Sequence, residues 1–112
     1  MTKAIFKFSD DLFQEVEISG HAGYQEKGLD IVCSGISATT ISTFNLIEKL
    51  LNDQCEISED EKKGILKLRI VNYDTIDTED NYFLHLIVEN FIDSLQEIEA
   101  NYPNHLKVKI EK

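Results

Sequence analysis

Two side chains in the first third of the chain are of the types that make a nucleophile and its base, His21 and Cys33. A thiolate attacks carbonyl carbon well, and a neighbouring imidazole can take or hold its proton. The two stand twelve residues apart, too far for one helical turn to join them. The chain must therefore close a loop over residues 22 to 29 and return Cys33 beside His21. Gly20 and Gly28 flank that loop, where a reversal calls for backbone angles that other residues avoid.

The stretch from Gly20 to Ser37 holds four of the five glycines, which raises the question of a phosphate loop. Gly23 and Gly28 have the right separation, but Leu29 and Asp30 follow where Lys and Ser or Thr are required. No dinucleotide fingerprint is present either. What remains is a cysteine expected at the start of a helix, where unpaired amides and the helix dipole favour a thiolate. The amides of Cys33, Ser34 or Gly35 are candidates for an oxyanion hole there. On spacing alone, a structural cysteine and a histidine in a turn stand as the alternative.

The elements that must position these residues follow from periodicity. Ala4, Phe6 and Phe8 alternate with Ile5 and Lys7, Asp10 and Asp11 make a turn, and a second alternation runs to Ile18. Residues 4 to 19 thus read as an antiparallel hairpin that delivers Gly20 and His21 to a sheet edge or end. Leu29 to Val32 reads as a short extended piece ending at Cys33. From Ser34 the period becomes helical, with Ala38, Ile41, Phe44, Ile47 and Leu51 on the main stripe and Leu46 and Leu50 widening it. Its first half is rich in Ser, Thr and Ile, poor helix formers, so this helix depends on burial.

Residues 52 to 64 are polar and acidic and read as a loop that contains Cys55. Leu66, Leu68 and Ile70 form a third strand, and Asp77 or Thr78 caps a long helix carrying Leu84, Val88, Phe91, Leu95, Ile98 and Tyr102. Pro103 ends that helix, and Leu106, Val108 and Ile110 form a last strand. The order strand, strand, helix, strand, helix, strand predicts one α+β domain over residues 1–112. Its expected form is a two-layer sandwich, with a mostly antiparallel four-stranded sheet and both helices on one face. Phe83, Leu86 and Ile87 widen the apolar face of the second helix beyond what one sheet needs, which fits either a subunit interface or packing against the first helix.

Composition narrows the partners. Twenty-one acidic against eleven basic residues give a net charge of -10, which repels a phosphate backbone in the absence of a basic patch, so direct nucleic-acid binding is not expected. The acidity suits a basic peptide or protein partner, or plain solubility. No apolar run is long enough to span a membrane, and the start does not read as a signal peptide, so a cytoplasmic protein is expected. In that compartment Cys33 and Cys55 are not expected to pair, and no Cys-x-x-Cys motif points to zinc.

Gly20-His21-Ala22, followed by Gly28-x-Asp30-Ile31-Val32-Cys33-x-Gly35-x-Ser37, resembles the signature of the ribosomal-processing cysteine protease family, Prp. Length, element order, the acidic middle segment, Ser94-Leu95-Gln96-x-Ile98-Glu99 and Tyr102 are similar as well, so the resemblance covers the whole chain. It implies a homodimeric bacterial protease without a cofactor that removes the N-terminal extension of a large-subunit ribosomal protein, the one whose tail reaches the peptidyl-transferase centre. It further implies His21 as catalytic histidine, Cys33 as nucleophile, Asp30 and Ser37 as supporting residues, and residues 22 to 29 as a mobile loop. Ser34 departs from the alanine common in the family, which bears on the shape of the substrate pocket.

Alternatives remain for individual residues. Asp30 either braces the glycine loop or orients His21, and if residues 30 to 33 are extended it points away from Cys33, which favours bracing. Ser37 either supports the site or bonds back to the preceding helical turn. His85 and His105 read as structural or surface residues, and Cys55 has no recognisable activator. The rival functions are a metal-binding module using His21, Asp30 and Cys33 with His85 or His105, and a non-catalytic ribosome-associated binding protein.

Overall fold

The computed structural model describes residues 1–20 and 30–112. The expected loop closure over residues 22 to 29, with His21, Gly23 and Gly28, lies outside the described residues. The chain starts with two strands, β1 (Thr2–Ser9) and β2 (Leu12–Ser19), joined by Asp10 and Asp11 at φ 50° and 65°. Two successive positive φ angles give the turn whose twist matches that of a hairpin, and aspartate tolerates them better than most residues. Thr2, Ala4 and Phe6 of β1 are buried, and so are Phe13, Val16 and Ile18 of β2.

Phe13 and Val16 are three residues apart, so strict alternation would put them on opposite faces. Pairing steps from Lys7 opposite Glu15 to Phe8 opposite Phe13, and Gln14 becomes the extra residue of a bulge that returns Phe13 to the core. The Phe13 amide then donates to Nε2 of His85 at 3.0 Å. His85 holds the acceptor form of that nitrogen because its Nδ1–H donates to the Asn81 carbonyl at 2.8 Å.

The remaining elements are helix α1 (Asp30–Leu51), strands β3 (Cys55–Asp60) and β4 (Ile65–Ile70), helix α2 (Thr78–Asn101) and strand β5 (Leu106–Glu111). The sheet order is β3-β4-β2-β1-β5, with β5 parallel to β1 and the other pairs antiparallel. Two expectations are corrected here. The sheet has five strands rather than four, because residues 55–60 of the expected acidic loop pair with β4. Ile31 and Val32 are helical rather than extended, since α1 begins at Asp30. Cys33 accordingly sits in the first helical turn, and the inference that Asp30 and Cys33 point oppositely along a strand loses its premise.

Both helices cover the sheet face that carries Ala4, Phe6, Val16, Ile18 and Leu68. The buried stripe of α1 is Val32, Ile36, Thr40, Phe44, Ile47 and Leu51, displaced from the expected one, and Ile41 and Leu46 are 54% and 50% exposed. The α2 stripe of Leu84, Val88, Phe91 and Leu95 is buried as expected. Phe91 ties three elements together by meeting Phe6 of β1 and Phe44 of α1 edge to face, at 5.4 and 6.2 Å between centroids. Asp77, not Thr78, caps α2, its Oδ1 accepting the Asp80 amide at 2.8 Å.

The other sheet face is a solvated lattice of charge. Lys7 meets Glu15 at 3.6 Å, Lys67 meets Glu17 at 3.4 Å, and Arg69 meets Glu56 at 2.7 Å. Each pair is exposed enough to contribute little to stability, and their effect is to keep that face hydrated.

Candidate active site

The end of β2 is the fixed side of the site. Gly20 has φ 78°, and a Cβ there would lie 2.5 Å from the Met1 carbonyl oxygen, so both the backbone angle and the space demand glycine. Its amide donates to the Gly64 carbonyl at 3.1 Å. The turn between β3 and β4 is thereby tied to the point where the chain leaves for His21. Gly64, at φ 65°, closes that turn.

Helix α1 supplies the other side. Cys33 is half-buried in its first turn, and Ser37, also half-buried, follows one turn later on the same face. Ser34 is exposed, and among the described residues nothing lies within 4 Å of where a Cβ on Gly35 would be. A helix leaves unpaired only the amides of its first turn. With α1 starting at Asp30, the amides of Ser34 and Gly35 fall inside its hydrogen-bond ladder.

Thr40 and Ile41 continue the Cys33–Ser37 face. Under them lies a cavity of about 170 Å³ between Ser37, Thr40 and Ile41 of α1 and Ile18, Leu66 and Glu59 of the sheet. Those three sheet residues form one cross-strand row, Ile18 opposite Leu66 and Leu66 opposite Glu59. Sequence reading missed this wall. A visible signal was Thr40, a polar residue four positions from both Ile36 and Phe44 in an apolar period. Glu59 was hidden because its strand reads as loop.

Cys55 and His85 are engaged within the fold. Cys55 begins β3 and packs against the core. Burial pushes its thiol up, and the negative charge of Glu48 adds to that. His85 uses both ring nitrogens within the protein, which leaves it no lone pair for a metal. Among the described residues, no three His, Cys, Asp or Glu side chains gather as a metal site requires. No helix among them is long and apolar enough to cross a membrane.

Residues 1–107 match the sequence profile of a family described as Cysteine protease Prp. The chain is 33% identical over 94 residues to the ribosomal processing cysteine protease Prp of Staphylococcus aureus strain Mu50, covering 84% of this chain and 83% of that protein. It is similar in fold to the crystal structure of an essential ribosomal processing protease Prp from S. aureus in complex with a substrate peptide. There the TM-score is 0.82 at 28% identity, over 99% of this chain and all of that one. The S. aureus protease with a covalently linked product peptide superposes with a TM-score of 0.78 at 28% identity, again over 99% and 100% of the two chains. Similarity of sequence along most of the chain and of fold along nearly all of it leads to one conclusion: this chain belongs to the Prp family of ribosomal processing cysteine proteases.

Proposed function

We propose that this protease removes the N-terminal extension of a large-subunit ribosomal protein precursor in the cytoplasm, with Cys33 as nucleophile and His21 as its proton partner. The observation that carries the reading is the position of Cys33, half-buried in the first turn of α1 in a chain of this family. The covalently linked product peptide of the S. aureus relative supports a covalent route.

In that route the Cys33 sulfur attacks the scissile carbonyl carbon, and the carbonyl electron pair moves to oxygen. Unpaired amides of the first turn of α1 stabilise this oxyanion, aided by the positive end of the helix dipole. Collapse breaks the C–N bond as the His21 imidazolium gives its proton to the leaving amine, leaving a thioester on Cys33. Water then attacks the thioester, His21 takes its proton, and the freed thiolate leaves. Asp30 and Ser37 serve as supporting residues. Of its two candidate roles, Asp30 is taken to brace the glycine loop rather than to orient His21.

The test incubates the protein with the extended precursor and reads the product by mass. One N-terminal peptide should be released by the wild type and none by Cys33→Ala; retained cleavage by that variant removes the nucleophile assignment. The reading also includes a homodimer. Phe83 and Leu86 of α2 are 42% and 51% exposed and offer apolar surface for it, whereas Ile87 packs on the chain's own core. Sedimentation at micromolar concentration should give twice the chain mass, and a monomer refutes the dimer.

A further inference from the structure

We propose that His85 is an acid-operated latch: while neutral it holds the β2 bulge against α2, and on gaining a proton its ring leaves the Phe13 amide for acceptors around the adjoining cavity, so that the hairpin loosens. The closed state follows from hydrogen-bond polarity. The Asn81 carbonyl oxygen, 2.8 Å from Nδ1, can only accept, so Nδ1 carries the proton of the neutral ring. Nε2 is then a lone pair, and it receives the Phe13 amide at 3.0 Å, with the Tyr73 hydroxyl at 3.4 Å. The amide so held belongs to the residue that the bulge returns to the core.

A second proton on the ring has one place to go, Nε2, where it points at the Phe13 N–H. Two donors then face each other, and the bond that closed the latch is lost. The closed latch thus excludes a proton that the open latch takes up, so by linkage the balance moves toward the open state as pH falls. From the bulge, β2 runs on to Ser19 and so to Gly20, where the chain leaves for His21. Acid therefore loosens the strand that leads to the candidate site.

The open state has room and acceptors ready. A cavity of about 220 Å³ adjoins the ring, bounded by Phe8 of β1, Asp11 of the hairpin turn and Val88, Glu89 and Ile92 of α2. Its two carboxylates come from different elements, and Glu89 stands one helical turn after His85. One turn before His85, Oδ1 of Asn81 is buried and has no partner among the described residues, an acceptor that the closed state leaves without a donor. An imidazolium brings two N–H donors to this surround. Lys112 opposes it, because its Nζ lies 3.8 Å from Asp11 and 5.9 Å from the centre of the Phe8 ring. Tyr73 adds no charge, since burial keeps its phenol protonated up to about pH 12.

NMR of the intact protein between about pH 8 and 5, where imidazole ordinarily changes charge, reads both partners of the latch. The His85 ring should show the Nδ1–H tautomer at the alkaline end, and the Phe13 amide shift should follow the ring's own titration curve. Exchange of that amide with solvent, corrected for the intrinsic effect of pH, should rise at least about tenfold across the transition while the Phe91 amide of α2 stays protected. In His85→Gln a side-chain carbonyl can accept from Phe13 but takes up no proton, so the Phe13 amide should stay protected to the acid end. Asp11→Asn combined with Glu89→Gln, both at exposed positions, removes the charges that draw the imidazolium and should move the transition to lower pH; Lys112→Ala should move it to higher pH. A Phe13 amide that stays protected while the His85 ring takes up its proton overturns the proposal, as does a ring that keeps the neutral tautomer throughout. Equal loss of protection at Phe91 means that the whole fold opens, and overturns it too. So does a transition unmoved by the carboxylate and Lys112 substitutions, an arm that stands whether or not His85→Gln folds.

Discussion

Cys33 and Cys55 are both free and both half-buried, yet the backbone around them puts them in opposite chemical situations. Cys33 lies in the first turn of a helix of 22 residues, at the positive end of its dipole and one turn from a cavity wall. Cys55 begins an edge strand, turns its side chain toward the core beside Ile70, its partner on β4, and has Glu48 as its charged neighbour. Exposure does not separate the two thiols. The element each occupies does: a helix start for Cys33 and an edge strand for Cys55.

The largest effect expected from this contrast is on turnover. Cys33→Ser should lower precursor cleavage by at least about 1000-fold, since a serine without a stronger base is a poor replacement nucleophile, whereas Cys55→Ser should stay within about twofold of wild type. A comparable loss in both variants would mean that the thiols share a structural role and that the comparison is mistaken.

Smaller, and closer to the cause, is the difference in thiol reactivity. Iodoacetamide labelling with peptide mapping near pH 7 should modify Cys33 at least about tenfold faster than Cys55, whose thiol is held protonated by burial and by Glu48. His21→Ala should slow the first rate and leave the second alone. Equal rates, or no response to His21→Ala, would break the link between position and activation.

Much of this architecture is legible in the sequence, and the parts that are not have physical causes. The long capped helix is visible because it buries one regular stripe, and the hairpin and the last strand because apolar residues alternate with polar ones along most of their sequence. Strand β3 is hidden because Cys55-Glu56-Ile57-Ser58-Glu59-Asp60 contains a single large aliphatic residue. An edge strand lying over a helix margin needs no more than that. The start of α1 is misread because Ile31 and Val32 favour extended backbone, while burial of Val32 and Ile36 rewards a helix. The stripe of α1 is displaced for a related reason: Thr40 takes a core position that an apolar count assigns to Ile41. At the candidate site, the signature residues are readable directly. The cavity is not, because Ile18, Leu66 and Glu59 meet only through strand pairing, and Thr40 joins them only when α1 packs on the sheet.

The comparison extends from single residues to the two ends of the molecule. Gly20→Ala, at the site end, must relieve both a positive φ and a contact with the Met1 backbone. It should cost about 1–3 kcal/mol and lower cleavage by displacing the entry to His21. Asp77→Ala removes the cap of α2, away from the site, and should cost about 1 kcal/mol with kcat unchanged. Denaturant unfolding and cleavage kinetics on the same samples check both. A loss of kcat in Asp77→Ala would show that the two ends are coupled.

The smallest effect lies at alkaline pH and belongs to the Cys55 side alone. Tyr73, in the segment that follows β4, packs against the core, and burial pushes its phenol from 10.0 up to about 12. The hydroxyl also lies 3.4 Å from Nε2 of His85. The folded state thus keeps its proton where the unfolded chain has lost it. Between pH 10 and 12 the unfolded state therefore binds fewer protons, and stability falls as pH rises, with nothing lost below that window. The Cys55 thiol acts in the same direction, beginning near its ordinary value of 9.0. Tyr73→Phe should flatten the decline above pH 10, and Cys55→Ser the earlier part. Because Tyr73→Phe also removes the His85 contact at every pH, the slopes of unfolding free energy against pH must be compared, not the values at one pH. If Tyr73→Phe and Cys55→Ser both leave the wild-type slopes unchanged, burial does not hold these two protons in the folded state, and the Cys55 side of the comparison loses its thermodynamic basis.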